Sequence, residues 1–437
     1  METPPSPLPA PQVISPFARA VRNAIYLLGG SGAVAVFGFL TTILAARQLG
    51  LRDYGLLLLI HSFMGAVVVL TRLQTFQPML QFGTALYEAQ ERPRFQSLLR
   101  HCLALDLAGG AAAALIGVPM SWLCAHLLGW EGHKMAACLY VTSALFMNTS
   151  AIIGVMRIAN RYKIAVAGDS LAAFIRFVGS AAGLLFHYKL TFFLAVWYIS
   201  LVSGFVVDGL ILWWLTRHIP SLKGFRLTNG PWRNQENGFW KLILPTSFDM
   251  LLVGLSSRLE LLIVGSILGS ASAGLYRVAM QIGEALAQPA QLLSPALYPE
   301  FVRLRDQKNL SQQLTIVWRT LRWLGSFSVL ALIVVFIFGP EIMALMLGRH
   351  VAEIRSLLLW MTFASVISLW NVPLEPFLVS LGKARSLLHR RLFVLTFFVP
   401  LIYFLVRWIG LDGAAMAAFA REGGIFLTRL LLFLRQF

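Results

Sequence analysis

Twelve apolar stretches, each long enough to cross a bilayer as a helix, follow one another through the sequence with only short polar breaks between them. A helix spans the hydrocarbon core with about 20 apolar residues, and lipid offers a backbone group no partner outside its own helix or barrel. The expected fold class is therefore an all-α polytopic membrane protein. The spans are expected near 22–46, 54–75, 102–128, 135–157, 164–186 and 190–216, then near 241–267, 271–300, 320–346, 355–380, 388–407 and 411–434. Charged residues make up 13% of the chain, against about 25% in soluble domains. A surface facing water could not be clothed with so few.

The twelve spans fall into two groups of six. The break between the first two spans reads Leu49-Gly50-Leu51-Arg52-Asp53-Tyr54-Gly55-Leu56, and Leu268-Gly269-Ser270-Ala271-Ser272-Ala273-Gly274-Leu275 repeats its Leu-Gly-(four residues)-Gly-Leu frame. The offset is 219 residues in a chain of 437. Adding it to the span starts of the first group lands close to those of the second, which predicts two six-helix lobes, 1–217 and 241–437. A linker, 218–240, rich in Pro and Gly and carrying Trp232, Phe239 and Trp240, joins them across one face. Of the 36 cations, six lie within spans. Seven (Arg47, Arg52, Lys134, Lys189, Arg349, Arg355 and Arg407) lie between spans on one side, and the remaining 23 lie on the other. Basic loops stay in the cytoplasm, so both termini are expected there and the Gly50 and Gly269 hairpins outside.

Several classes of function are excluded. The net charge of +17 reports cytoplasmic loops rather than nucleic-acid binding. Cys102, Cys124 and Cys138 read as packing residues, no Cys/His spacing suits a metal, and no phosphate-binding loop is present. No cofactor or metal is expected. The Pro-rich start, Met1 to Pro16, lacks the basic region and apolar core of a cleavable signal. No segment is long enough for an external catalytic domain. His61, His126 and His350 have no acid–base partner in sequence and read as packing or interfacial residues, which argues against an enzyme. Trp122, Trp130, Trp197, Trp213, Trp214 and Trp408 read as interfacial anchors.

The charges inside the spans are the informative residues. Each costs at least about 2.5–3.5 kcal/mol in hydrocarbon, so it needs a partner or a hydrated cavity. Asp169 and Arg176 are seven residues apart on one helix face, as are Arg277 and Glu284. Asp249, Arg258 and Glu260 lie on the seventh span, with Arg421, Glu422 and Arg429 on the twelfth. Arg258, Glu260, Arg277 and Arg421 fall at similar depth, so Glu260 can pair with Arg277. One reading makes these charges mutually satisfied pairs that lock helices together, with Arg72 and Arg429 snorkelling to headgroups. The other places Arg176, Arg258, Arg277 and Arg421 around a hydrated cavity, where their excess of positive charge suits a phosphate-bearing substrate. Prolines in the eighth and tenth spans (Pro289, Pro295, Pro299, Pro373 and Pro376) read as packing kinks or as hinges.

The ordered set of motifs resembles the polysaccharide flippases of the multidrug/oligosaccharidyl-lipid/polysaccharide exporter superfamily. It comprises Arg47-x-Leu49-Gly50-x-x-Asp53-Tyr54-Gly55, then Gly154-Val155-Met156-Arg157 with Asn160-Arg161-Tyr162. Leu268-Gly269 through Tyr276 and Leu381-Gly382-Lys383-Ala384-Arg385 complete it. The resemblance implies a V-shaped bundle of two lobes around a central cavity in the bacterial inner membrane. It implies translocation of an undecaprenyl-diphosphate-linked oligosaccharide repeat unit to the periplasmic leaflet, coupled to an H⁺ or Na⁺ gradient, for lipopolysaccharide or exopolysaccharide synthesis. A glycan polymerase or export machinery is the implied partner. On this expectation Arg176, Arg258, Arg277 and Arg421 neutralise the diphosphate, while Asp249, Glu260, Glu284 and Asp169 serve ion coupling or charge pairing. The substrate arginines of the lipid II flippases have no counterparts traceable here, and the two extra helices of that branch are missing. Two rivals are a multidrug exporter of organic cations, which needs a cavity of carboxylates and aromatics, and a membrane-embedded glycan polymerase or transferase.

Overall fold

The computed structural model describes residues 16–161, 164–227, 236–291, 294–307, 309–347 and 354–435. The start up to residue 15, Trp232 of the linker, His350, Tyr162 and the loop cations Lys163, Arg233, Lys308 and Arg349 lie outside them. The described residues are overwhelmingly helical, without strands. The first half comprises α1 (Pro16–Thr71), α2 (Phe76–Glu88), α3 (Arg92–Leu123), α4 (Ala125–Leu128), α5 (Lys134–Val141), α6 (Ser150–Ile158), α7 (Ala167–Leu185) and α8 (Leu190–His218). The second comprises α9 (Phe239–Leu268), α10 (Ser270–Gln291), α11 (Ser294–Asp306), α12 (Leu310–Leu347), α13 (Ile354–Ser380), α14 (Ala384–Ile409) and α15 (Leu411–Leu434). Nine stretches among the described residues are long and apolar enough to cross a membrane. The first of these, in α1, holds two passes on either side of Gly50, and α10 and α15 cross with charged residues in mid-helix. Counted with these two, the helices match the twelve expected spans.

The repeat is conformational as well as textual. Gly50 sits at φ 69°, ψ 172° and Gly269 at φ 84°, ψ 171°, a region open essentially only to glycine. Each glycine turns the chain between two consecutive spans. The turns also pack on each other reciprocally: a Cβ added at Gly55 would overlap the Ser270 carbonyl, and one at Gly274 would come within 2.8 Å of the Leu51 carbonyl. The offset of 219 carries Leu51 onto Ser270 and Gly55 onto Gly274, so the two contacts are one contact seen twice across a pseudo-twofold axis. The repeat further carries α2 (76–88) onto 295–307, where α11 lies. α2 is not among the expected elements. Met79, Gly83 and Leu86 give α2 a buried stripe at helical spacing, but 13 residues fall short of a span. The expected 271–300 helix is described as α10 up to Gln291 and as α11 from Ser294.

The cores show how the lobes are joined. At the hairpin end one cluster runs through both halves, from Tyr54, Leu57, Leu59 and Met64 to Val264, Tyr276, Ala279 and Met343. At the opposite, basic end there are two further clusters, the first of which also takes in Phe239 and Ile243 of α9. One is built around Met79, Phe95, Leu99 and Val155, the other around Phe301, Leu374, Phe377 and Phe433. The halves thus share one core at the hairpin end and split into two clusters at the other, with α9 packed on the first of them, in keeping with the V expected from the resemblance. The second limb of α1 runs antiparallel to α9 along the seam. A Cβ on Gly254 would meet Val69 at 3.0 Å, and the Gln74 amide donates to Ser247 Oγ at 2.8 Å.

Two other expectations are corrected. Trp130 and Trp197 are buried rather than interfacial, and the Trp130 indole donates to the Ser121 carbonyl at 3.1 Å. The fourth span is broken: α5 passes through a 3-10 turn (Thr142–Phe146) before α6 starts at Ser150. Asp106, 3% exposed, holds this break from α3, accepting from the Ala151 amide at 2.9 Å and from the Thr75 hydroxyl at 2.7 Å. In lipid an orphaned helix N-terminus finds no water to cap it. Asp106→Ala is expected to lower stability by about 2 kcal/mol, read as an earlier thermal unfolding midpoint of the detergent-purified protein. An unchanged midpoint would show that the cap is dispensable.

Candidate functional site

Two cavities open inside the bundle, and α9 forms the wall between them. The first, about 390 Å³, lies between the lobes. Each helix around it presents a stripe at helical spacing: Gly38, Thr41 and Thr42 from the first limb of α1, and Tyr54, Leu58, His61 and Ser62 from the second. Arg277, Gln281 and Glu284 come from α10, Arg258 from α9, and Arg176 and Trp197 from α7 and α8. The charged side chains of this lining are three arginines and one carboxylate. Arg277 donates to Glu284 at 3.1 Å, using the seven-residue spacing that puts both on one face. Among the described residues no carboxylate pairs with Arg176 or Arg258. The Arg176 guanidinium lies 5.8 Å from the Trp197 ring. Two unmatched guanidiniums in a walled cavity leave a positive site, because low-dielectric surroundings strengthen every charge interaction.

Several residues of this site have no charge to draw attention to them in sequence. Gly65 is the clearest: a Cβ there would stand 2.9 Å from the Arg258 guanidinium carbon. The missing side chain is the space Arg258 occupies. Thr42 donates to Gln281 Oε1 at 2.8 Å across the lobes. His61, expected as packing, lines the cavity, hydrogen-bonds the Tyr140 hydroxyl at 2.7 Å and stands edge-on to Trp197.

The second cavity, about 480 Å³, lies within the C-terminal half. It takes Arg421, which the sequence groups with the other three arginines. The depth argument places Glu260 opposite Arg277. In the structure Glu260, 1% exposed, pairs instead with Arg421 and accepts from the Tyr276 hydroxyl at 3.2 Å. Arg258 and Glu260, two residues apart, necessarily face different cavities. Arg421 also meets Glu422 at 3.1 Å. Asp249 is tied to Arg391 at 2.6 Å, which reaches Glu375 at 3.3 Å. Arg429 is not snorkelling, for it binds Glu375 at 2.7 Å and is 7% exposed. Asp169 is exposed on α7 and lines neither cavity. Ser257, Met280 and Glu284 line both.

Removing one partner of a buried pair strands the other charge, at about 3–5 kcal/mol. Glu422 shares Arg421, so Glu260→Gln is expected to cost less, about 2 kcal/mol. Adding Arg421→Gln should recover most of that loss. Thermal unfolding of the single and double variants measures this, and strictly additive losses would contradict a coupled pair.

Known proteins place this architecture. The model of a family described as polysaccharide biosynthesis protein matches residues 44–355. An inner membrane protein of Escherichia coli K12, YghQ, is 25% identical over 347 residues, which cover 78% of this chain and 96% of that one. Among solved structures, an inward-facing multidrug resistance MATE transporter of the MOP superfamily superposes with a TM-score of 0.76 at 14% identity, covering 94% of this chain and 98% of its own. An outward-facing MATE transporter gives 0.61 at 14% identity, covering 96% and 95%. So does a MOP superfamily transporter from Pyrococcus furiosus described as having a binding pocket of reverse polarity. The chain belongs to the polysaccharide biosynthesis protein family and is a multi-pass membrane protein with the fold of MOP superfamily transporters.

Proposed function

We propose that the protein is a flippase that carries an undecaprenyl-diphosphate-linked oligosaccharide repeat unit from the cytoplasmic to the periplasmic leaflet of the inner membrane. The observation that carries this reading is the inter-lobe cavity, in which Arg176, Arg258 and Arg277 face a single carboxylate. Guanidinium forks match phosphate oxygens, and an anion that enters gains the neutralisation this lining lacks. The 23 basic loop residues favour placing the divided end of the bundle, and both termini, in the cytoplasm. The hairpin end then closes the periplasmic side, and the higher likeness to an inward-facing relative is consistent with that state. We assign the lobe boundaries to 1–217 and 241–437. We assign Arg421 to holding Glu260 rather than to the diphosphate. The reading includes coupling to a cation gradient, for which Asp249, Glu260, Glu284 and Asp169 are the candidate carboxylates.

A multidrug exporter of the same fold fits less well, because unmatched arginines repel organic cations. The test of the reading is glycan export in a deletion strain complemented with variants. The double change Arg258→Ala with Arg277→Ala should cut surface glycan to about a tenth or less, equivalent to about 1.4 kcal/mol or more, at normal protein levels. Gly65→Val, which crowds Arg258 off its place, should act in the same direction. Gly325→Ala is the control, since a Cβ there meets nothing within 4 Å. Normal export by the double variant would sink the assignment.

A further inference from the structure

We infer that Glu284 is a tethered competitor for the phosphate site, a built-in anion that the substrate must displace from Arg277 and that helps to expel it again. The inference deepens the flippase reading and rests on it. Glu284 is the one carboxylate among the charged residues of the inter-lobe cavity, and it holds Arg277 at 3.1 Å. Both side chains keep access to the cavity, at 44% and 32% exposure, so the pair is open to exchange rather than sealed like Glu260 and Arg421.

A displaced carboxylate also has somewhere to go. Glu284 lines the second cavity too, beside Ser365 and Ser368, while Arg421 there is already paired with Glu260 and Glu422. Rotation about its side-chain bonds moves the charge from one cavity towards the other without moving α10. Diphosphate on Arg258 and Arg277 therefore replaces one anion by another, and the returning Glu284 competes for Arg277 when the site opens on the far side. Tight binding without such a competitor would trap the substrate, since affinity differences of this kind are expressed mostly in the off-rate.

The test is calorimetric titration of the purified full chain in detergent with inorganic diphosphate. Glu284→Gln should bind about tenfold more tightly than the natural protein, about 1.4 kcal/mol, and Glu284→Asp about as the natural protein does. Surface glycan export by Glu284→Gln should fall although binding improves. Unchanged or weaker binding by Glu284→Gln, while Arg258→Gln loses binding, would overturn the competitor and leave the phosphate cavity standing. Binding insensitive to Arg258→Gln, or no binding by any variant, would overturn both.

Discussion

The structure depends on the close approach of two backbone turns. Gly55 lies against the Ser270 carbonyl and Gly274 against the Leu51 carbonyl, distances that no side chain allows. In a bilayer there is little hydrophobic drive to bring helices together, and small residues let backbones touch so that dispersion and polar contacts can accumulate. The turns themselves exist because Gly50 and Gly269 adopt nearly the same left-handed conformation. From this point the α1–α10 and α1–α9 contacts spread, and the shared hairpin-end core forms around them. Arg47 adds a polar clasp, donating to the Leu345 carbonyl near the end of α12 at 3.0 Å through Nε. Away from this joint α9 stays against α1 as far as Gln74 and Ser247, and the arginine cavity opens beside that seam.

Much of this architecture was legible in the residues. Apolar length identified the spans, and the Gly50 and Gly269 frames disclosed the repeat, because a span needs a fixed length and a tight turn needs glycine. Spacing of seven also matched Arg277 to Glu284 correctly, since a helix face is a local property. What stayed hidden was either short or set by tertiary contact. The α2 helix is too short for a ruler based on membrane thickness, and the break in the fourth span is held by Asp106 from another helix. Depth alone matched Glu260 to Arg277, whereas rotation of α9 and α10 about their axes gives Glu260 to Arg421. Gly65 carries no chemistry, and its place in the site is the absence of a Cβ beside Arg258. The Arg258–Gly65 approach joins spans two and seven, which no local pattern connects.

The charges divide by function along the same lines. In the C-terminal half every cation around the cavity is answered: Arg391 by Asp249 and Glu375, Arg429 by Glu375, and Arg421 by Glu260 and Glu422. Such pairs contribute little net stability, but they hold helices in register and are costly to break. Between the lobes no carboxylate among the described residues forms an ion pair with Arg176 or Arg258, so this cavity, unlike its neighbour, carries an excess of positive charge. A charge kept in the membrane without a carboxylate partner is costly, and the proposed reading gives that cost a use. The Arg277–Glu284 pair stands at the boundary between the two regimes, answered but accessible.

If the two glycine turns are the joint about which the lobes must open, fastening them should halt translocation while leaving the cavity intact. The direct measurement replaces Cys102, Cys124 and Cys138 by alanine, introduces Leu51→Cys and Ser270→Cys, and joins the new thiols with a short reducible cross-linker. Transfer of a fluorescent undecaprenyl-diphosphate-linked saccharide across proteoliposome membranes is then followed before and after reduction. Transport should be lost on cross-linking and recovered on reduction, with inorganic diphosphate still bound by the cross-linked protein. Transport that continues undiminished with the turns fastened would contradict an opening at this joint.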